Sequence, residues 1–145
     1  PLLFQYGIQA RIADEIAAAD EAFDESLRIR EQLAGQLPLQ EEDAWLLAII
    51  YCDLAIEYEQ RGDWEQVQQW LSKGIRQLDH CGSQWPNERY ASRLREAVRD
   101  RAKALFFLGR VDEADAEWQK AFDLIPDADR GALRIARAEW LARAG

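Results

Sequence analysis

The sequence predicts an all-α fold, and three observations carry that expectation. Apolar residues recur every three or four positions almost throughout, no stretch alternates as a half-buried strand would, and breaking residues fall at helix-length intervals. The breaks are residues 35–38, 62–63, 81–86, 109–110 and 126–128, each containing Gly or Pro. They divide the chain into expected helices at about 2–12, 15–34, 42–61, 64–79, 88–108, 111–124 and 129–143.

The composition agrees with a packed domain. A chain of 145 residues with 48% hydrophobic and 31% charged residues has the length and apolar content for one ordinary domain, expected to span residues 1–145. Its formal net charge of -9, from 18 Lys+Arg against 27 Asp+Glu, argues against a surface built for nucleic acid or anionic lipid. No apolar run approaches the roughly 18 residues needed to span a bilayer, and Arg11, Asp14 and Glu15 interrupt the N-terminal stretch before it reads as a signal peptide. The absence of Met, position 1 included, points to a segment of a longer protein. Two isolated cysteines, Cys52 and Cys81, make neither a disulfide framework nor a metal set, and fit a reducing, cytoplasmic setting.

The expected helix at 42–61 carries two apolar stripes: Leu47, Tyr51, Leu54, Ala55 and Tyr58, then Trp45, Ile49, Cys52 and Ile56. Two such faces imply a helix sandwiched between neighbours. The helix at 111–124 carries one stripe, of Val111, Ala114, Trp118, Ala121, Phe122 and Ile125, with Asp112, Glu113, Asp115, Glu117 and Lys120 expected in water. It belongs on an outer layer.

A period of about 47 residues runs through the chain. Residues 55–64 end a helix at Gly62 and are followed by Val67, Leu71 and Gly74; residues 104–114 end another at Gly109 and are followed by Trp118, Ala121 and Pro126. Gly7, Ala10, Asp14, Ala19, Phe23 and Ser26 form a fainter copy. In Ala114-x3-Trp118, with Ala121 and a closing Pro126, the pattern resembles the tetratricopeptide (TPR) repeat, whose second helix carries Ala-x3-Phe followed by Pro. The match is specific over 95–126, fair over 48–79, where Val67 and Leu71 replace the small residue and the aromatic, and weak over 1–31.

The period exceeds the family's usual length of about 34. In that respect, and in residues 26–33, the chain is similar to the longer repeats of kinesin light chains and bacterial signalling proteins. The resemblance implies a right-handed α-α superhelix of three hairpins, at about 1–34, 42–79 and 88–126, with a capping helix at 129–143 that covers the last apolar face.

Catalytic and metal chemistry find little support. His80 and Cys81 are adjacent, a poor arrangement for chelating one ion, and are expected in a solvated loop. Cys52 falls on an apolar stripe, where it packs as a small hydrophobe. The acidic groups 41–43 and 112–113 sit at helix starts, where they favour the N-terminal dipole. No Gly-rich phosphate loop is present. The reading is a non-enzymatic protein with no metal and no cofactor.

The charge distribution is more telling. Residues 88–110 sum to +4, through Arg89, Arg93, Arg95, Arg99, Arg101, Lys103 and Arg110 against Glu88, Glu96 and Asp100, leaving -13 elsewhere. This basic helix either pairs with acidic neighbours or faces a ligand. The resemblance places Phe4, Ile8 and Arg11, then Cys52, Ile56 and Glu59, then Arg99, Lys103 and Phe106 along a concave groove, apolar at one end and cationic at the other. Such a groove suits a protein or peptide with an apolar anchor and acidic residues, with self-association also open. Phe4, Ile8, Cys52 and Ile56 do not supply the carboxylate clamp of chaperone-binding TPR domains. Trp70, off its helix's stripe, and Trp85, in a linker, are the aromatics expected to be exposed. The leading expectation is an interaction module inside a signalling or regulatory protein; the alternative is a sensor binding a small anion at 88–108.

Overall fold

The computed structural model describes residues 16–36, 38–126 and 129–144, with side chains described from Glu21. Among them are six helices and no strand: α1 Ile16–Gln36, α2 Glu41–Gln60, α3 Trp64–Gln84, α4 Glu88–Phe107, α5 Val111–Asp123 and α6 Arg130–Ala144. The expected helix at 2–12, and with it Phe4, Ile8 and Arg11, lies outside the described residues. Contacts divide the chain into two compact units, Pro1–Leu47 and Ala48–Gly145.

In the first unit, α1 is one continuous helix from Ile16, ending just past Gly35. Ala22, Phe23, Ser26 and Leu27 form its buried stripe, while the Arg28 and Glu25 pair at 2.5 Å lies on its exposed face. Three carboxylates, Glu41, Glu42 and Asp43, open α2 where its N-terminal dipole favours negative charge.

The second unit holds the rest of α2 and the four helices after it. Tyr51, Leu54 and Ala55 are buried, as the first stripe requires, but the second stripe opens to solvent at Ile56. A Cβ placed on Gly74 of α3 would lie 3.0 Å from Cys52 Sγ, so α2 and α3 approach closely where α3 has no side chain. Farther on, α3 packs on α4 and α4 on α5.

The two glycine bends are built alike. Gly62 and Gly109 have φ of 73° and 76°, in the left-handed region that only glycine adopts without strain. Gly62 N–H donates to Glu59 O and Asp63 N–H to Tyr58 O; Gly109 N–H donates to Phe106 O and Arg110 N–H to Leu105 O. Both are Schellman caps, each satisfying carbonyls that the helix end would leave open. In each, the residue after glycine starts the next helix. Asp63 does so with its side chain, which accepts from Gln66 N–H at 3.2 Å, whereas Arg110 caps through its backbone and pairs with Glu113.

The register extends to whole helices. Both ends of α4 lie 47 residues after those of α2, so Glu41 matches Glu88 and Gln60 matches Phe107. By contrast, α3 runs eight residues longer than α5, 21 against 13.

Two expectations are corrected here. The segment from His80 to Gln84 is not a solvated loop but the last turn of α3, and Cys81 is fully buried. The stripe Val67, Leu71, Ile75, Leu78 and Cys81 carries the helix on, until Pro86 restricts Trp85 and stops it. Glu117, expected in water, is 5% exposed.

Candidate interaction surface

The side chains on α4 decide what the basic helix does. Arg93 pairs with Glu96 at 2.9 Å and reaches Asp53 of α2 at 3.5 Å. Arg95 meets Glu88 at 2.6 Å and Arg99 meets Asp100 at 2.8 Å. Lys103 binds Glu59 of α2 and lies over the Trp64 ring. Arg101 spans three helices: it pairs with Glu117 of α5 at 2.6 Å and donates to Ser72 Oγ of α3 at 3.2 Å. Arg89 donates to Tyr90 Oη at 2.8 Å. The positive charge of α4 is thus largely spent on carboxylates of the protein itself.

Glu117 completes this arrangement by accepting from Lys120 as well, at 2.6 Å. Burial pushes its carboxyl up, but hydrogen bonds from Arg101 and Lys120 outweigh it and hold the group below the usual range. Burial raises Asp53 and Asp100, against the opposing pull of Arg93 on the first and Arg99 on the second. The Cys52 thiol is pushed up to about 11, chiefly by burial, so it is protonated and unreactive at neutral pH.

Of the expected groove residues, the structure brings Cys52, Ile56 and Glu59 of α2 into one shallow cleft, where α4 supplies Arg93, Ala97 and Asp100. Lys103 joins this group through Glu59. Ile56 is 45% exposed and offers an apolar contact; Cys52, at 3%, is a packing residue and offers none. Arg99 remains beside Asp100, and Phe106 turns toward a different cleft.

That second cleft was missed in the sequence. It is an apolar cup of about 180 Å³ formed by Ala102 and Phe106 of α4, Val111, Ala114 and Trp118 of α5, and Trp140 and Leu141 of α6, with the Arg137 and Asp115 pair at its edge. Trp118 meets Trp140 edge-on at 4.9 Å, bracing α6 against α5. The aromatics expected to be exposed are instead half-buried: Trp70 stacks on Tyr51 at 6.0 Å, and Trp85 meets His80 edge-on at 6.1 Å.

No protein-family model, no curated protein and no solved structure matches this chain. Among the described residues no group of His, Cys, Asp and Glu is placed to hold a metal ion, and no helix is long and apolar enough to cross a membrane.

Proposed function

We propose that α2 with α3, and α4 with α5, are successive TPR-like units, and that the protein is a non-catalytic module that binds a peptide or protein partner along its helical clefts. The observation that carries this reading is the pair of Schellman bends at Gly62 and Gly109, which share both cap hydrogen bonds and a left-handed glycine and lie 47 residues apart. A chain that repeats one hairpin presents the same cleft repeatedly between successive first helices, and a rigid cleft leaves most of the ordering cost to the ligand. Burial of the Cys52 thiol, which pushes it up to about 11, speaks against nucleophilic chemistry.

The alternative, a small-anion sensor on α4, is disfavoured by one specific observation. An anion there would have to displace Glu59, Asp100 or Glu117 from the cations they already neutralise. Peptide display against the immobilised chain tests the choice. Selected peptides are expected to lose affinity with Ile56→Gln or with variants in the second cleft, at unchanged melting temperature. A large rise in melting temperature with phosphate or a dicarboxylate, and no peptide selected, would favour the sensor.

A further inference from the structure

The two clefts of the second unit are the same cleft in successive repeats. Ala55, Glu59, Val67, Leu71 and Arg93 line the first, and the residues 47 positions later, Ala102, Phe106, Ala114, Trp118 and Trp140, line the second. Their contents differ in two ways. Val67 fills space that Ala114 leaves open, and the first cleft is crossed by the Glu59 and Lys103 ion pair where the second has Phe106. The cleft volumes are about 10 and about 180 Å³. An apolar cavity of roughly 150 Å³ accepts a benzene ring, so the second cleft has room for one aromatic or branched aliphatic side chain.

Its edges carry the remaining information. Val111 and Leu141 stand at the mouth, 49% and 52% exposed, while Ala102 and Ala114 are buried beneath. Beside it runs the most basic helix outside α4: α6 has Arg130, Arg134, Arg137 and Arg143 against Glu139 alone, in a chain of net charge -9. Arg137 lies 5.7 Å from the Trp118 ring centre and Arg134 lies 5.3 Å from that of Phe122. Spaced by three residues, they form a cationic strip leading away from the cup along the seam with α5. Arg137 already meets Asp115, but its side chain is 42% exposed and its guanidinium has donors left for a second carboxylate.

Resting on the interaction-module reading, we infer that the cup between α4, α5 and α6 is the docking site of a partner peptide that inserts one bulky apolar side chain and sets an acidic residue, about one helical turn away, on Arg137 and Arg134. The cup selects the anchor by size, and the strip fixes direction by charge. Charge complementarity singles out an acidic partner, because a basic peptide would meet Arg137 and Arg134 of α6 beside Trp118.

The test uses fluorescein-labelled peptides with one Leu or Phe and Glu three or four residues away, titrated against the full 145-residue chain by anisotropy. Replacing the anchor by Ala is expected to weaken binding about ten- to hundredfold, the range for losing one fully buried apolar side chain. Ala114→Val, which restores the residue of the first cleft, and Leu141→Gln at the mouth are expected to do the same without lowering the melting temperature. Arg137→Gln is expected to weaken Glu-containing peptides and flatten their salt dependence, with little effect on peptides carrying Gln instead. Binding that resists all three variants but is lost with Ile56→Gln would overturn the cup while leaving the module reading in place. A concentration-dependent dimer abolished by Leu141→Gln, with no peptide binding, would assign the cup to a second copy and overturn the proposal. No binding and no self-association at all would sink both.

Discussion

Replacing glycine by alanine at three places is expected to give opposite signs. At Gly62 and Gly109 the added Cβ meets no atom within 4 Å, so the cost is that of the left-handed backbone alone. For an L-residue that cost is roughly 1–2 kcal/mol, offset in part by the lower entropy alanine gives the unfolded chain, which leaves about 1 kcal/mol of destabilisation each. In a chain of this size that is about 3–4 °C in melting temperature. Gly82 also has open space but lies inside α3, so Gly82→Ala is expected to stabilise, by about 0.5 kcal/mol near the helix end. Thermal and urea unfolding followed by circular dichroism reads all three. A stabilising effect at either bend, or effects of different sign at the two, would refute the claim that they are the same turn.

Further expectations follow from packing and charge. Gly74→Ala should destabilise, because its Cβ would meet Cys52 Sγ at 3.0 Å, and Cys52→Ala should recover part of the loss when both changes are made; additive losses would deny the contact. Both thiols are buried, so the native chain should react slowly with a disulfide reagent at pH 8 and release two thiols only in denaturant, whereas fast native labelling would contradict the packing. Glu117→Gln should cost about 2 kcal/mol, since Arg101 would lose its charged partner while keeping Ser72.

Stability should also vary with pH in two directions. Burial raises Asp53, Asp79 and Asp100, so the folded state takes up their protons more readily than the unfolded chain. Their ionisation costs stability, and that cost is relieved as pH falls through their raised values and is gone below the ordinary aspartate value of 3.8. Glu117 is lowered, so its contribution is complete above the ordinary glutamate value of 4.5 and is lost as pH falls below it. The urea midpoint should therefore rise slightly on acidification and then drop. Asp100→Asn should flatten the rise and Glu117→Gln the drop; a midpoint that falls steadily from neutral pH would contradict the assignment.

Much of the fold was legible because helical spacing and glycine breaks are local signals. The start of α3 at Trp64, the starts of α4 and α5, and the two bends needed no knowledge of distant contacts. The last turn of α3 was hidden because Gly82, Ser83 and Pro86 look like a loop, although Leu78 and Cys81 continue the apolar stripe. Glu117 was misplaced because charge alone assigns it to water. Its register partner 47 residues earlier is Trp70, also off the stripe and also turned to the first helix of its hairpin, where it stacks on Tyr51. Reading the two positions together would have shown that this face is covered in both hairpins.

The candidate site was harder to read, for a physical reason. Net charge on α4 was visible in the sequence, but its neutralisation by Glu59, Asp100 and Glu117 depends on which carboxylates the fold delivers. The cup was foreshadowed only by the change from Val67 to Ala114 at matching positions. A missing pair of methyl groups says nothing until the neighbours that fail to fill the space are known.

The claim beneath all of this is that one hairpin is built twice. Scalar couplings measured across hydrogen bonds by NMR test it at the atoms concerned. The account predicts couplings from Asp63 N to the Tyr58 carbonyl carbon and from Arg110 N to the Leu105 carbonyl carbon, with left-handed φ at both glycines. A coupling found at one bend and absent at the other, or a negative φ at Gly62 or Gly109, would contradict it.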